Sequence, residues 1–219
     1  MKFTLQYDGI LVSNQQGAGR LPNKRSIRFQ IDPQLRTIWS TNRYLRWLRA
    51  HEGNLSRLRP GSYRGNDIIV EPLTRGMDGP LIWSPFPYVI VGGLTYIVLV
   101  NALNEWTCAL DIKILMPEPV GNRGDIDNRL KTLYDALCPP QRETDAGVGG
   151  TVPSDGLVFS LLEDDKDRFI RSRRVELEQL LSAVPSNIDQ NDRSNYVSAR
   201  IGITLSNSDG GPVRVAGAP

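Results

Sequence analysis

Between Thr107 and Met116 the chain alternates: Cys108, Leu110, Ile112, Ile114 and Met116 are separated by Ala109, Asp111, Lys113 and Leu115. A period of two puts each set on one face of an extended chain, so this segment reads as a half-buried strand. The same alternation marks residues 2–7, with Phe3, Leu5 and Tyr7 against Lys2, Thr4 and Gln6. It returns at Tyr196 to Leu205, where Val197, Ala199, Ile201, Ile203 and Leu205 form the apolar set. Leu81 to Val100 reads as one or two strands broken at Gly92-Gly93, and Val158 to Leu162 is a short apolar run. Phe169 to Leu181 fits a strand or a helix; its first half favours a strand.

The period changes after Pro117-Glu118-Pro119. From Gly124 to Leu137, Ile126, Leu130, Leu133, Tyr134 and Leu137 make one stripe of an amphipathic helix, which Pro139-Pro140 stops. Asp127, Lys131 and Asp135 stack at i, i+4, i+8 on another face, and Asp125 lies where a loop enters the helix. A second helix is expected to start at Asp32-Pro33, with Asp at the cap and Pro in the first turn. Leu35, Ile38, Trp39, Leu45 and Leu48 form its apolar side, and Arg36, Arg43 and Arg46 lie roughly opposite. Trp39 and Trp47, at helical spacing, read as core in preference to base-stacking platforms. His51, the only histidine, has no second His to share a zinc site with. Asp8 to Lys24, Pro139 to Leu157 and Pro185 to Asn195 read as loops or turns, and residues 206–219 as a disordered tail.

At 219 residues, 40% hydrophobic and 23% charged, the chain suits one domain over residues 1–205. No run reaches the roughly 18 apolar residues of a membrane span. The first residues form a strand pattern in place of a signal peptide, and Cys108 and Cys138 fit no metal spacing. Together these imply a cytoplasmic protein in a reducing compartment. Charge is uneven. Eleven of the 26 basic residues but two of the 24 acidic ones fall between Arg20 and Arg64, so this stretch carries +9 and the rest −7. A basic elaboration at about 8–79, beside an acidic site, is the footprint of a phosphate-backbone binder. Arg20, Lys24, Arg25 and Arg28, with Arg123 and Arg129 flanking the acidic helix start, are the expected nucleic-acid contacts.

Asp125 and Asp127 can supply two carboxylates to a divalent cation, and Asp165 or its neighbour Asp164 a third. Mg²⁺, or Mn²⁺ in its place, would there neutralise a scissile phosphate and lower the pKa of an attacking water. Lys131, one turn after Asp127, is placed to meet charge developing on the phosphorane oxygens. The same residues also fit a purely structural reading. Asp suits a helix start, Asp127–Lys131 is an ordinary i,i+4 pair, and Glu163-Asp164-Asp165 can be a solvated turn.

Gly-Asp-Ile-Asp-Asn-Arg-Leu-Lys-Thr-Leu-Tyr-Asp-Ala-Leu at 124–137, followed by Leu-Leu-Glu-Asp-Asp-Lys at 161–166, resembles the RusA-like family of Holliday-junction resolvases, mostly phage-derived. The likeness runs from about Thr107 to Thr204. It implies an α+β fold, a mixed β-sheet packed with two or three helices. On it, Asp125, Asp127 and Asp165 fall on the family's metal-binding aspartates and Lys131 on its catalytic lysine. The implied protein is a homodimer that cuts four-way DNA junctions by Mg²⁺-dependent hydrolysis in recombination and repair, leaving 5′-phosphate nicks. Two features depart from the family pattern: the long loop between helix and acidic pair, and the first hundred residues. Both bear on substrate choice. The alternative is a non-catalytic DNA-binding module on the same scaffold, with salt-dependent binding but no metal-dependent turnover.

Overall fold

The computed structural model describes residues 1–13, 20–42, 45, 61–63, 66–68, 88–101, 106–117, 126–146, 155–164 and 168–207. In chain order the elements are β1 (Lys2–Ile10), α1 (Arg20–Thr41), β2 (Gly61–Tyr63), β3 (Asn66–Ile68), β4 (Tyr88–Val91), β5 (Leu94–Val100) and β6 (Trp106–Met116). Then follow α2 (Ile126–Leu137), α3 (Glu143–Ala146), β7 (Leu157–Leu162), β8 (Ile170–Gln179) and β9 (Tyr196–Asn207). The fold is α+β; the described residues include two mixed sheets and two helices longer than one turn.

The three alternating segments meet in one sheet of order β1-β9-β6-β8. β9 runs antiparallel to both β1 and β6, with Leu5 opposite Ile201 and Ile201 opposite Ile112. Their side chains therefore share one buried face, and the polar sets face outward. β8 lies parallel to β6, so the chain must cross over between them, and α2, α3 and β7 make up that connection.

The second sheet has order β4-β5-β7. β4 and β5 form a hairpin through Gly92-Gly93, which have φ of 56° and 76°, and Val91 pairs Leu94 across the two-residue loop. A loop this short needs positive φ at both positions, which glycine adopts without strain. A side chain at Gly92 would also collide with Ala146 of α3. β5 and β7 are parallel and almost wholly buried, which explains why their sequences are continuous apolar runs. One core cluster joins both sheets to α1 and α2. A smaller one, around Val89, Leu94, Tyr96, Ala146 and Val158, fills the other face of the second sheet.

α1 departs from expectation. It begins at Arg20, within the expected loop, and Pro33 lies in its interior. Proline lacks the N–H for the helical ladder and crowds the preceding turn, so Asp32-Pro33 looks locally like a boundary. Tertiary packing overrides that signal. Ile27, Ile31, Leu35 and Trp39, four residues apart, are all buried along one side. The Asp32 carboxylate accepts from the Phe159 N–H of β7 at 2.6 Å and from Arg36 Nε at 2.8 Å; it does not cap a helix. Burial raises the Asp32 pKa, and these two bonds oppose the rise.

Three other boundaries move. β1 extends to Ile10. Phe169 to Leu181 is a strand as far as Gln179, held by β6 along its length. Ser206 and Asn207 continue β9 opposite Thr107 and Trp106, and do not begin the tail. Residues 208–219, like Leu48, Arg43, Arg46, Trp47 and His51, lie outside the described residues. No described helix is long and apolar enough to cross a membrane.

Candidate active site

α2 follows the expected pattern. Leu130, Leu133, Tyr134 and Leu137 are buried and Ile126 packs against them. The helix stops at Leu137, before Pro139-Pro140. Asp127 sits in its first turn with its side chain exposed, where a carboxylate complements the helix dipole. Lys131, one turn on, is exposed as well. The structure thus brings Asp127 and Lys131 to the solvent side of one helix. Asp125 and Arg123 lie outside the described residues.

The third acidic position arises from the end of β7. The strand's ladder continues past Leu162, with the Glu163 N–H donating to the Val100 carbonyl at 2.8 Å. Glu163 and Asp164 are buried, 3% and 1% exposed, beside the parallel β5–β7 pair whose other strand leads into the buried Asn101. Buried carboxylates need charged or hydrogen-bonding partners. Arg168 provides one, with Nη2 at 3.3 Å from Glu163 Oε1 and 3.5 Å from Asp164 Oδ2. Its guanidinium also lies over the Phe169 ring. Asp165 lies outside the described residues. α2 touches β7, so Asp127 and the Glu163-Asp164 pair belong to adjoining elements.

Their donors are carboxylate oxygens, the hard ligands that Mg²⁺ and Mn²⁺ take, so the residue chemistry fits the implied ion. Among the described residues no three His, Cys, Asp or Glu side chains are grouped to hold a metal; two of the three expected ligands, Asp125 and Asp165, are not among them.

The expected nucleic-acid contacts divide. Lys24 is buried and paired with Asp135. Arg28 is buried too, donating from Nε to the Cys138 carbonyl at 3.1 Å and from Nη2 to the Asp135 carbonyl at 3.0 Å. Arg25 donates to the Thr144 carbonyl. The last turn of a helix leaves carbonyls without intrahelical donors and carries partial negative charge, so cations from α1 both satisfy and neutralise it. Lys24 and Arg28 thereby clamp the C-terminal end of α2, a use that charge counting cannot foresee. Arg129 is buried as well, and its Nη2 donates to Asn195 Oδ1 at 2.9 Å, tying α2 to the turn before β9. Arg20 opens α1. Trp39 is core, edge-on to Phe159 at 5.5 Å between centroids.

Three residues near the site escaped the sequence reading. Arg173 of β8 lies over the Tyr134 ring of α2 at 5.1 Å. The Tyr134 pKa is raised by burial, pulled back by Arg173 and pushed up again by Asp127, so these three groups share one electrostatic neighbourhood. The alternation of β8 puts Arg173 on the same face as Val175 and Leu177, and that was its only sequence signal. Arg168 and Asn101 carried none.

Comparison with family models, with curated proteins and with solved structures returns no match.

Proposed function

We propose that this chain is a Mg²⁺-dependent endodeoxyribonuclease of the RusA-like kind, hydrolysing phosphodiesters in branched DNA such as four-way junctions. It would act as a homodimer in recombination and repair. One observation carries the reading: Asp127 and Lys131 stand together on the exposed side of α2, while the adjoining β7 delivers buried acids just before Asp165. Asp125, Asp127 and Asp165 are the residues that would hold the ion. Once bound, Mg²⁺ would neutralise the scissile phosphate and make water a better nucleophile. Lys131 places its ammonium one helical turn from Asp127, to meet negative charge as it builds on the phosphoryl oxygens. Arg168 pairs with the buried Glu163 and Asp164, which directly precede Asp165 in the sequence. Arg20, Arg25 and Arg123 remain the proposed backbone contacts. Lys24, Arg28 and Arg129 hold α2 in place.

A labelled four-way junction incubated with the protein and Mg²⁺ tests this. Paired nicks ending in 5′-phosphate are expected. Asp127→Asn should lower cutting at least about 100-fold while junction affinity stays close to that of the parent, because backbone contacts carry most of the affinity. An intact junction at stoichiometric protein, with Mg²⁺ or Mn²⁺, would remove the nuclease reading. Salt-dependent binding without cutting would leave the non-catalytic DNA-binding module.

A further inference from the structure

We infer that the outer edge of β8 pairs with β8 of a second copy, antiparallel and centred on Val175, giving one continuous eight-stranded sheet. Among the described residues β8 is bonded only to β6, and its other edge faces outward over ten residues. Most of its side chains are exposed, including Leu177 at 39%. Such an edge is a template for another strand unless the sequence prevents it.

Here the sequence selects the partner. The first half of β8 is basic (Arg171, Arg173, Arg174) and the second acidic (Glu176, Glu178). Reversing the strand about Val175 sets Arg174 opposite Glu176 of the other copy, Ser172 opposite Glu178 and Arg173 opposite Leu177. Cross-strand pairs of opposite charge stabilise a sheet, and like charges directly opposite oppose it. A two-fold axis normal to the sheet keeps each side chain on its own face, so allowed registers differ by steps of one residue in the position of the centre. Centring on Arg174 opposes arginine to arginine, and centring on Glu176 opposes glutamate to glutamate. Centring on Val175 avoids both. In the single chain Arg174 already pairs with Glu176, and Glu178 with Lys113 at 2.6 Å, so these three charges keep local partners when the copies separate.

The same axis leaves both copies of α2 on one side of the joined sheet, because the Arg173–Tyr134 contact puts α2 on the face that the axis preserves. The inference thus names the surface of the proposed homodimer. It rests on that reading only for the use of having two sites on one side.

Sedimentation of the full chain over a concentration series tests it. The parent protein should be a dimer. Arg174→Glu should weaken it by at least about tenfold, since like charges then meet at two symmetric places. Arg174→Glu combined with Glu176→Arg should restore the dimer. Val175→Cys should give a disulfide-linked dimer on mild oxidation, the native Cys108 and Cys138 being buried. A monomer at every concentration, or a dimer indifferent to Arg174→Glu and uncrosslinked through Val175→Cys, overturns the inference. Junction cutting is read separately on the same samples: a monomer that still cuts overturns this inference and the proposed homodimer but leaves the nuclease reading standing. Loss of cutting with the dimer intact would instead count against the nuclease reading alone.

Discussion

Single residues in this fold take their properties from where tertiary packing puts them. Cys108 is an ordinary thiol in the sequence, yet burial pushes its pKa up to about 12, against a partial pull downward from Arg173. Two consequences follow from that shift. At pH 8 the native thiol is almost entirely protonated, so iodoacetamide should modify it only on unfolding. Stability also depends on it. Between pH 9.0 and about 12 the native state keeps a proton that the unfolded chain releases. Its contribution is complete below pH 9.0 and is lost as pH rises through that window. Denaturant midpoints measured across this range should fall with a slope that Cys108→Ala lessens by up to one proton. An unchanged slope in the variant would show that Cys108 titrates as a free thiol. The proposed site residues Asp127 and Lys131 are the opposite case. Their exposure follows directly from the helical stripe, so they were legible as a pair from spacing alone.

At the scale of elements, strands with one buried face declared themselves. In β1, β6 and β9, apolar and polar residues alternate because core and solvent lie on opposite sides. α2 was equally plain, having one buried stripe and a double proline beyond its end. β8 was ambiguous because charged residues occupy both of its faces, Arg173 sharing one with Val175 and Leu177, so no period dominates. α1 was misjudged because Pro33 is a local signal, whereas the burial of Ile27, Ile31, Leu35 and Trp39 is a long-range one. The basic residues of α1 show the same division. Composition counts cations but does not tell which of them face inward. Arg28 gives the sharpest test of that distinction. Arg28→Ala removes two hydrogen bonds from a buried guanidinium to the end of α2, and should cost about 2–3 kcal/mol in chemical denaturation. Junction affinity should keep its salt dependence. Unchanged stability, with a salt slope smaller by about one, would return Arg28 to the DNA surface.

For the whole molecule, two sheets share one core, and α2 packs on α1 and β7. The long crossover between β6 and β8 carries both α2 and β7, and the two elements touch, although Glu163 lies 36 positions after Asp127 along the chain. No local pattern encodes that approach. The resemblance of two motifs was the one sequence signal linking these segments, and Glu163 and Asp164 lie buried at the end of β7. The proposed chemistry requires a divalent cation at Asp127. Electron paramagnetic resonance of free Mn²⁺, titrated with the full chain, reads this directly. The parent protein should remove Mn²⁺ from solution, Mg²⁺ should displace it, and Asp127→Asn should leave most of the free signal in place. A parent protein that takes up no Mn²⁺, or an Asp127→Asn variant that takes up as much, would contradict it.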